Sequence, residues 1–272
     1  MAFSVNTNTG AMAALQSLNS TNRGLDTVQS RINTGLAVAS TKDDSASFTI
    51  AQTLRGEMGG LKAVTSSLGR AKSTVDVAVA GAEQVSDLVN QMKTKATEAS
   101  DAGLDADSRA AIAKDFDALK EQITTIIDSS EFNGSNLLKA SGGTVAALQS
   151  TDTAASTLNV DNQDLSANVT AITGSLTDAA TSKTMVTTLE TQAKSINTKL
   201  SSLGAASRKI DGQLSFSSKL SDTIQAGIGN LVDADLAKES ANLQALQVKQ
   251  QLGLQALSIA NQAPQSIMSL FR

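Results

Sequence analysis

From Leu54 an apolar residue returns every seven positions, through Leu61, Leu68, Val75, Ala82, Val89 and Ala96, with Val64, Ala71, Ala78, Val85, Met92 and Ala99 as a companion series. Such a repeat keeps one narrow seam on an α-helix only if the helix pairs with another, so it predicts a coiled-coil partner and a helix of about 70 Å. The partner series starts at Leu189 and runs through Ile196, Leu203 and Ile210, lapses at Ser217, and returns at Ile224 and Leu231, with companions Ala193, Leu200, Leu214 and Ile228. The two seams are predicted to fold back antiparallel. Gly56, Gly59, Gly60 and Gly69 each lower helix propensity in the first seam by roughly 1 kcal/mol relative to Ala, a deficit that tertiary packing must cover.

Between the seams, Ile112, Phe116, Leu119, Ile123 and Ile126 mark a further helix, with Asp107 or Ser108 as the expected cap and Asn133-Gly134 as a turn after it. The stretch from Thr144 to Leu176 is rich in Ser, Thr, Ala, Asp and Asn. Its alternating segments Ala155 to Val160 and Asn168 to Ile172 predict one or two β-hairpins. The hairpin region spans about 141–180, at the fold-back point.

Both ends lie beyond phase breaks. Ala11, Leu15, Leu18, Leu25 and Ile32 form one stripe of an amphipathic helix ended by Gly35. A polar connector with Gly35, Lys42, Asp43 and Asp44 follows, and a second breaks the register at Asp233-Ala234-Asp235. Asp233 to Arg272 then reads as one helix with apolar side chains on two faces. Leu236, Leu243, Leu254 and Leu257 fall within ~80° of Leu246, whereas Val248, Leu252 and Ile259 fall at about 200° to 240°. The N-terminal helix alongside covers one face. The other is read as a surface for another molecule, the alternative being an intrachain bundle core.

The fold class is therefore mainly α: a long antiparallel coiled-coil rod with a small β-hairpin region, plus paired N- and C-terminal helices. The expected domains are 1–33 with 236–272 (terminal helices), 34–47 with 232–235 (connectors) and 48–231 (rod).

Composition narrows the function. The 272 residues include no Cys, His, Trp or Tyr, which removes thiolate and imidazole chemistry, disulfides and the usual zinc ligands. No catalytic residue, cofactor or metal site is expected. Asp43 and Asp44 as an acid/base or metal pair compete with the simpler reading of adjacent carboxylates as solvated or capping groups. A net charge of -4 without a concentrated Lys/Arg run argues against nucleic acid. No apolar run approaches the ~20 residues that span a bilayer, and Met1 to Gly10 lacks a signal-sequence pattern, so any route out of the cell is a different one.

Several fixed spacings carry a family resemblance over about residues 1–140 and 185–272. They are Gly35-Leu36 with Lys42, Asp43, Asp44 and Ala46, where Ala37 replaces the usual Arg; Phe132-Asn133-Gly134 with Asn136 and Leu137; Asp233-Ala234-Asp235 with Glu239, Asn242, Gln247, Gln250, Gln251 and Gly253; and the ending Ala260-Asn261-Gln262, Pro264-Gln265, Leu270. In these the chain resembles the bacterial flagellins, in a short form without their variable outer domains.

The resemblance implies a structural filament subunit for swimming, secreted to the extracellular flagellum through the type III apparatus. Implied partners are other subunits in a homopolymer, an export chaperone on the C-terminal helix, the filament cap and the hook-junction proteins. Its polymerisation interface is expected to comprise Leu15, Leu18, Leu25, Ile32, Leu243, Leu246, Val248, Leu252, Leu254, Leu257 and Ile259. Ser and Thr between Thr144 and Thr188 are candidate O-glycosylation positions, against the reading of a plain polar loop; the sequons at Asn133 and Asn168 match by chance.

Where innate receptors contact the family through Arg, Glu and Leu, the alignment puts Lys95, Ala96 and Thr97, so weak receptor recognition is expected, readable by reporter-cell titration. Competing readings are a hook-filament junction protein, with similar terminal helices, and a signalling coiled coil, which predicts a helical tip and a membrane anchor in place of a Gly-rich middle.

Overall fold

The computed structural model describes residues 7–152 and 157–270, with side chains through Gln262. The described elements are α1 (Thr9–Thr34), α2 (Ser45–Ala99), α3 (Ala106–Ser129), β1 (Val145–Ala147), β2 (Leu158–Val160), α4 (Ser166–Thr170), α5 (Ala179–Val232) and α6 (Leu236–Leu270). The mainly α fold expected from the repeats is the one found. Two compact units divide the chain, one of Met1–Gly56 with Thr223–Arg272, the other of Glu57–Asp222.

The unit Glu57–Asp222 is organised by the seven-residue repeats. Leu68, Val75, Ala82, Val89 and Ala96 on α2 are buried, as are Leu189, Ile196, Leu203 and Ile210 on α5. Antiparallel pairing is read directly from the bonds between the two helices. Lys72 meets Asp211 at 3.0 Å, Ser207 donates to Asp76 at 3.3 Å, Ser86 donates to Asn197 at 3.2 Å, and Lys93 meets Glu190 at 2.8 Å. Every advance along α2 is matched by an equal retreat along α5. The glycines of α2 do not interrupt it. Gly60 is seated instead: a Cβ there would lie 2.6 Å from the Thr151 side chain. Ser217, read as a lapse in the second seam, is itself 1% exposed, so the register continues through it with a small polar member.

α3 adds Phe116, Ile123 and Ile127 to the same core. Its cap is Asp105, whose side chain accepts from Ser108 N at 2.8 Å, and not Asp107 or Ser108. Asp105 immediately precedes the first helical residue, the position from which a carboxylate reaches the free N–H groups of the first turn. Buried Arg109, which the apolar pattern passes over, closes the α2–α3 turn by donating to the carbonyls of Ala99, Asp101 and Leu104. At the Asn133-Gly134 turn both residues have positive φ, 51° and 79°, and Phe132 and Ser135 exchange backbone bonds of 3.0 Å.

Among the described residues one antiparallel hairpin forms, pairing Val145 with Val160 and Ala147 with Leu158. The expected strand Ala155 to Val160 begins in residues outside those described; its last three form β2. The other expected strand, Asn168 to Ile172, is an error. That segment belongs to α4 and the turn after it, and Leu165, Val169 and Ile172 are buried at helical i, i+4, i+7 spacing. Polar anchors decide the matter: Lys199 Nζ donates to Asp164 O and to Asn168 Oδ1 (2.5 Å), Asn168 donates to Gln192 (2.8 Å), and Lys120 Nζ donates to Ile172 O (2.6 Å). Five residues of alternation carry too little periodicity to separate a strand from one helical turn.

Candidate functional site

The unit formed by the two chain ends holds nearly every candidate residue. Asn8 caps α1 by accepting from Ala11 N at 3.0 Å, and Gly35 ends it at φ 72°, its N–H donating to Arg31 O at 2.8 Å. Only a residue at ease with positive φ closes a helix in this way. The two connectors then clasp each other. Leu36 and Asp233 form an isolated antiparallel bridge, Ala37 N donates to Val232 O at 2.7 Å, and Ala234 N donates to Gly35 O at 2.9 Å. Asp235 caps the start of α6 by accepting from Ala237 N and Lys238 N.

Asp43 and Asp44 sit in this connector without converging. Asp43 accepts from Ala39 N, Ser40 N and Ser40 Oγ, whereas Asp44 caps α2 by accepting from Ala46 N, Ser47 N and Ser47 Oγ. Both carboxyls are held below the usual carboxylate range, first by the serine hydroxyls, Ser40 and Ser47 respectively, and then by the backbone N–H bonds. The capping reading accounts for both. Lys42 is exposed, its backbone N–H donating to Ser40 Oγ at 3.3 Å.

α1 and α6 run antiparallel along a seam narrower than the expected stripes. On α1 it follows Ala11, Ala14, Leu18, Thr21, Leu25, Val28 and Ile32, and on α6 Glu239, Leu243, Leu246, Gln250, Gly253, Leu257 and Ala260, spacings of three and four throughout. Three of the α6 members, Glu239, Gln250 and Gly253, carry no apolar side chain, and each has a specific counterpart. Glu239, 8% exposed, meets Arg31 at 3.1 Å. Gln250 donates to Asn22 at 2.8 Å. Gly253 lets Leu18 approach so closely that a Cβ would lie 3.3 Å from Leu18 Cδ1, and Gly24 stands in the same relation to Leu246 at 3.4 Å. Asn8 closes the far end by donating to Ala260 O at 2.7 Å. A search for apolar periodicity alone misses these positions; extending the three-four spacing outward from Leu243 and Leu246 finds them.

Of the expected interface residues, Leu18, Leu25, Ile32, Leu243, Leu246 and Leu257 lie in this intrachain seam. Leu15, placed with the covered stripe, is 47% exposed, and Leu236 and Leu254, grouped with Leu246, are 49% and 54% exposed. The correction has a geometric cause. A window of ~80° to either side is wider than the strip that one neighbouring helix covers, so edge positions stay in solvent. Val248, Leu252 and Ile259 are 55%, 57% and 68% exposed on the far side of α6, and Met12 is 66% exposed on α1.

The three positions aligned with receptor contacts differ in exposure. Ala96 is fully buried in the α2 seam, Lys95 is paired with Asp115 at 3.2 Å and Glu98 at 3.6 Å, and Thr97 Oγ1 donates to Lys93 O. Only Lys95 and Thr97 offer side chains at the surface, because a core position cannot be a receptor contact.

Two chain ends joined as one helix pair, clasped at their connectors and leaving an apolar row uncovered, define a helical structural protein. Comparison with known proteins gives the class its identity. The model of the bacterial flagellin N-terminal helical region matches residues 5–143, and that of the bacterial flagellin C-terminal helical region matches residues 186–271. Flagellin FljM of Caulobacter vibrioides is 47% identical over 99% of this chain and 98% of its own length, and a flagellin of Brucella melitensis is 38% identical over 99% of each. The crystal structure of Bacillus cereus flagellin, at 24% identity, shares the fold with a TM-score of 0.52 over 56% of this chain and 88% of that one. The chain belongs to the bacterial flagellin family and is a structural subunit of the flagellar filament, a component exported outside the cell. Full-length similarity to flagellins sets aside the junction-protein and signalling readings.

Proposed function

We propose that the uncovered side of α6, with Val248, Leu252 and Ile259, is the surface through which one subunit polymerises onto the next. Its exposed apolar row carries the reading: monomeric soluble proteins seldom leave contiguous large apolar side chains in water, and a filament subunit has copies of itself to cover them. In this reading 1–33 with 236–272 is the filament-core domain, 34–47 with 232–235 the connecting spoke and 48–231 the outer rod. Before assembly the same row is the segment that an export chaperone covers, so that type III export delivers a chain that has not polymerised in the cytoplasm. Growth then takes place beneath the filament cap on a base of hook-junction proteins. Receptor recognition is weak, since Lys95 is engaged with Asp115 and Ala96 is out of reach.

Leu252→Lys tests the interface. It places a charge in the middle of the row and touches nothing in the α1–α6 seam. The variant is expected to stay helical and soluble while long filaments disappear from negative-stain images and from the sedimented fraction. Normal filaments would refute the assignment.

A further inference from the structure

Resting on that reading, we propose which face meets which: the back of α6 on one subunit docks against the back of α1 on a neighbouring copy. Met12, Leu15 and Asp26 lie ~60° to 120° around α1 from the seam residue Leu18, and Leu252 and Ile259 lie ~120° to 140° around α6 from Leu246. Met12, Leu15, Leu252 and Ile259 are all about half exposed or more. Each subunit therefore carries two unlike apolar faces. A face that pairs with its own image about a two-fold axis closes as a dimer, whereas two unlike faces propagate head to tail, as a filament subunit must.

Spacing and charge agree with this pairing. A copy set alongside in the same orientation runs its α6 antiparallel to the first copy's α1, as within one chain. Sliding it by about one helical turn brings Ile259 level with Leu15 and Lys249 level with Asp26. From Lys249 to Ile259 is ~15 Å along the helix and from Leu15 to Asp26 ~16 Å, so both pairs align together. Asp26 and Lys249 are exposed, and neither forms an ion pair with another described residue. One end of the contact is apolar, and the other joins opposite charges.

Charge exchange in the full-length chain tests the pairing. Asp26→Lys and Lys249→Asp, each alone, should raise the critical concentration for seeded polymerisation at low salt by roughly two- to fivefold, the range of an exposed ion pair, with unchanged circular dichroism. The double variant Asp26→Lys/Lys249→Asp should return to within about twofold of the original. Singles that polymerise like the parent, or a double no better than its worse single, overturn the pairing. So does filament growth from an equimolar mixture of Leu252→Lys and Leu252→Glu chains that are inactive separately, because the α6 back would then be pairing with itself. Failure here leaves the Leu252→Lys result standing, so the pairing and the interface are judged separately.

Discussion

At the residue scale, four of the six described helices, α2, α3, α5 and α6, start at an aspartate. Asp44 begins α2, Asp105 begins α3, and Asp178 begins α5 by accepting from Ala180 N and Thr181 N. All three carboxyls are held below their ordinary values: Asp44 chiefly by the Ser47 hydroxyl, Asp105 by the Ser108 N–H and Asp178 by the Thr181 N–H. A carboxyl whose folded value is depressed stabilises the fold at pH above its unfolded value, about 3.9, and that contribution is lost as pH falls through the lower folded value. Thermal unfolding followed by circular dichroism should be flat from pH 7 to about 5 and weaken below about 4. Because asparagine caps without titrating, the triple variant Asp44→Asn/Asp105→Asn/Asp178→Asn should flatten the acid limb. An unchanged acid limb would assign the loss to other groups. Of these caps, Asp105 is the one that reading by apolar period misplaced, since the first apolar residue does not say how many polar turn residues precede it.

At the element scale, the long helices were legible and the short elements were not. In α2 and α5 a narrow apolar spacing repeats many times, so the pattern averages out single exceptions such as Gly60 or Ser217. In α4 it has one turn in which to be heard, and the anchors that hold it, Lys120 and Lys199, come from distant helices. The α1–α6 pair lies between these cases: its helices were plain, but its contact line was not, because Glu239, Gln250 and Gly253 interrupt the apolar signal. Gly253 matters through its partner. Gly253→Val would drive branched methyls into Leu18, costing about 1–3 kcal/mol by overpacking. Hydrogen exchange should then show faster exchange in α1 and α6 and unchanged protection in α2 and α5. Equal loss in all four helices would mean that the close approach at Leu18 is not what the glycine provides.

At the scale of the whole molecule, two compact units suggest separable tasks. The unit Glu57–Asp222 has a contiguous core of its own, from Val64 through Phe116 and Leu158 to Ile210. Removing Ala260 to Arg272 takes away the end of α6, including the carbonyl that Asn8 bonds, and leaves that core intact. The truncated chain should unfold cooperatively with most of its helical signal and form no filaments by sedimentation. Long filaments from it would show that the last residues of α6 are dispensable for assembly.

What the amino-acid sequence determined unaided is the repeat architecture, the two phase breaks and the family. Periodicity and fixed motif spacing are properties of the chain alone, and they survive single substitutions. Only the tertiary structure decided which side chains the terminal pair buries and which it leaves bare, moving Leu15 and Leu254 to the open side and bringing Glu239 and Gln250 into the seam. The physical reason is width: a helical wheel tells in which direction a side chain points, whereas burial depends on how closely a second helix approaches. Here that approach is set by Gly24 and Gly253, which contribute nothing to any hydrophobic pattern.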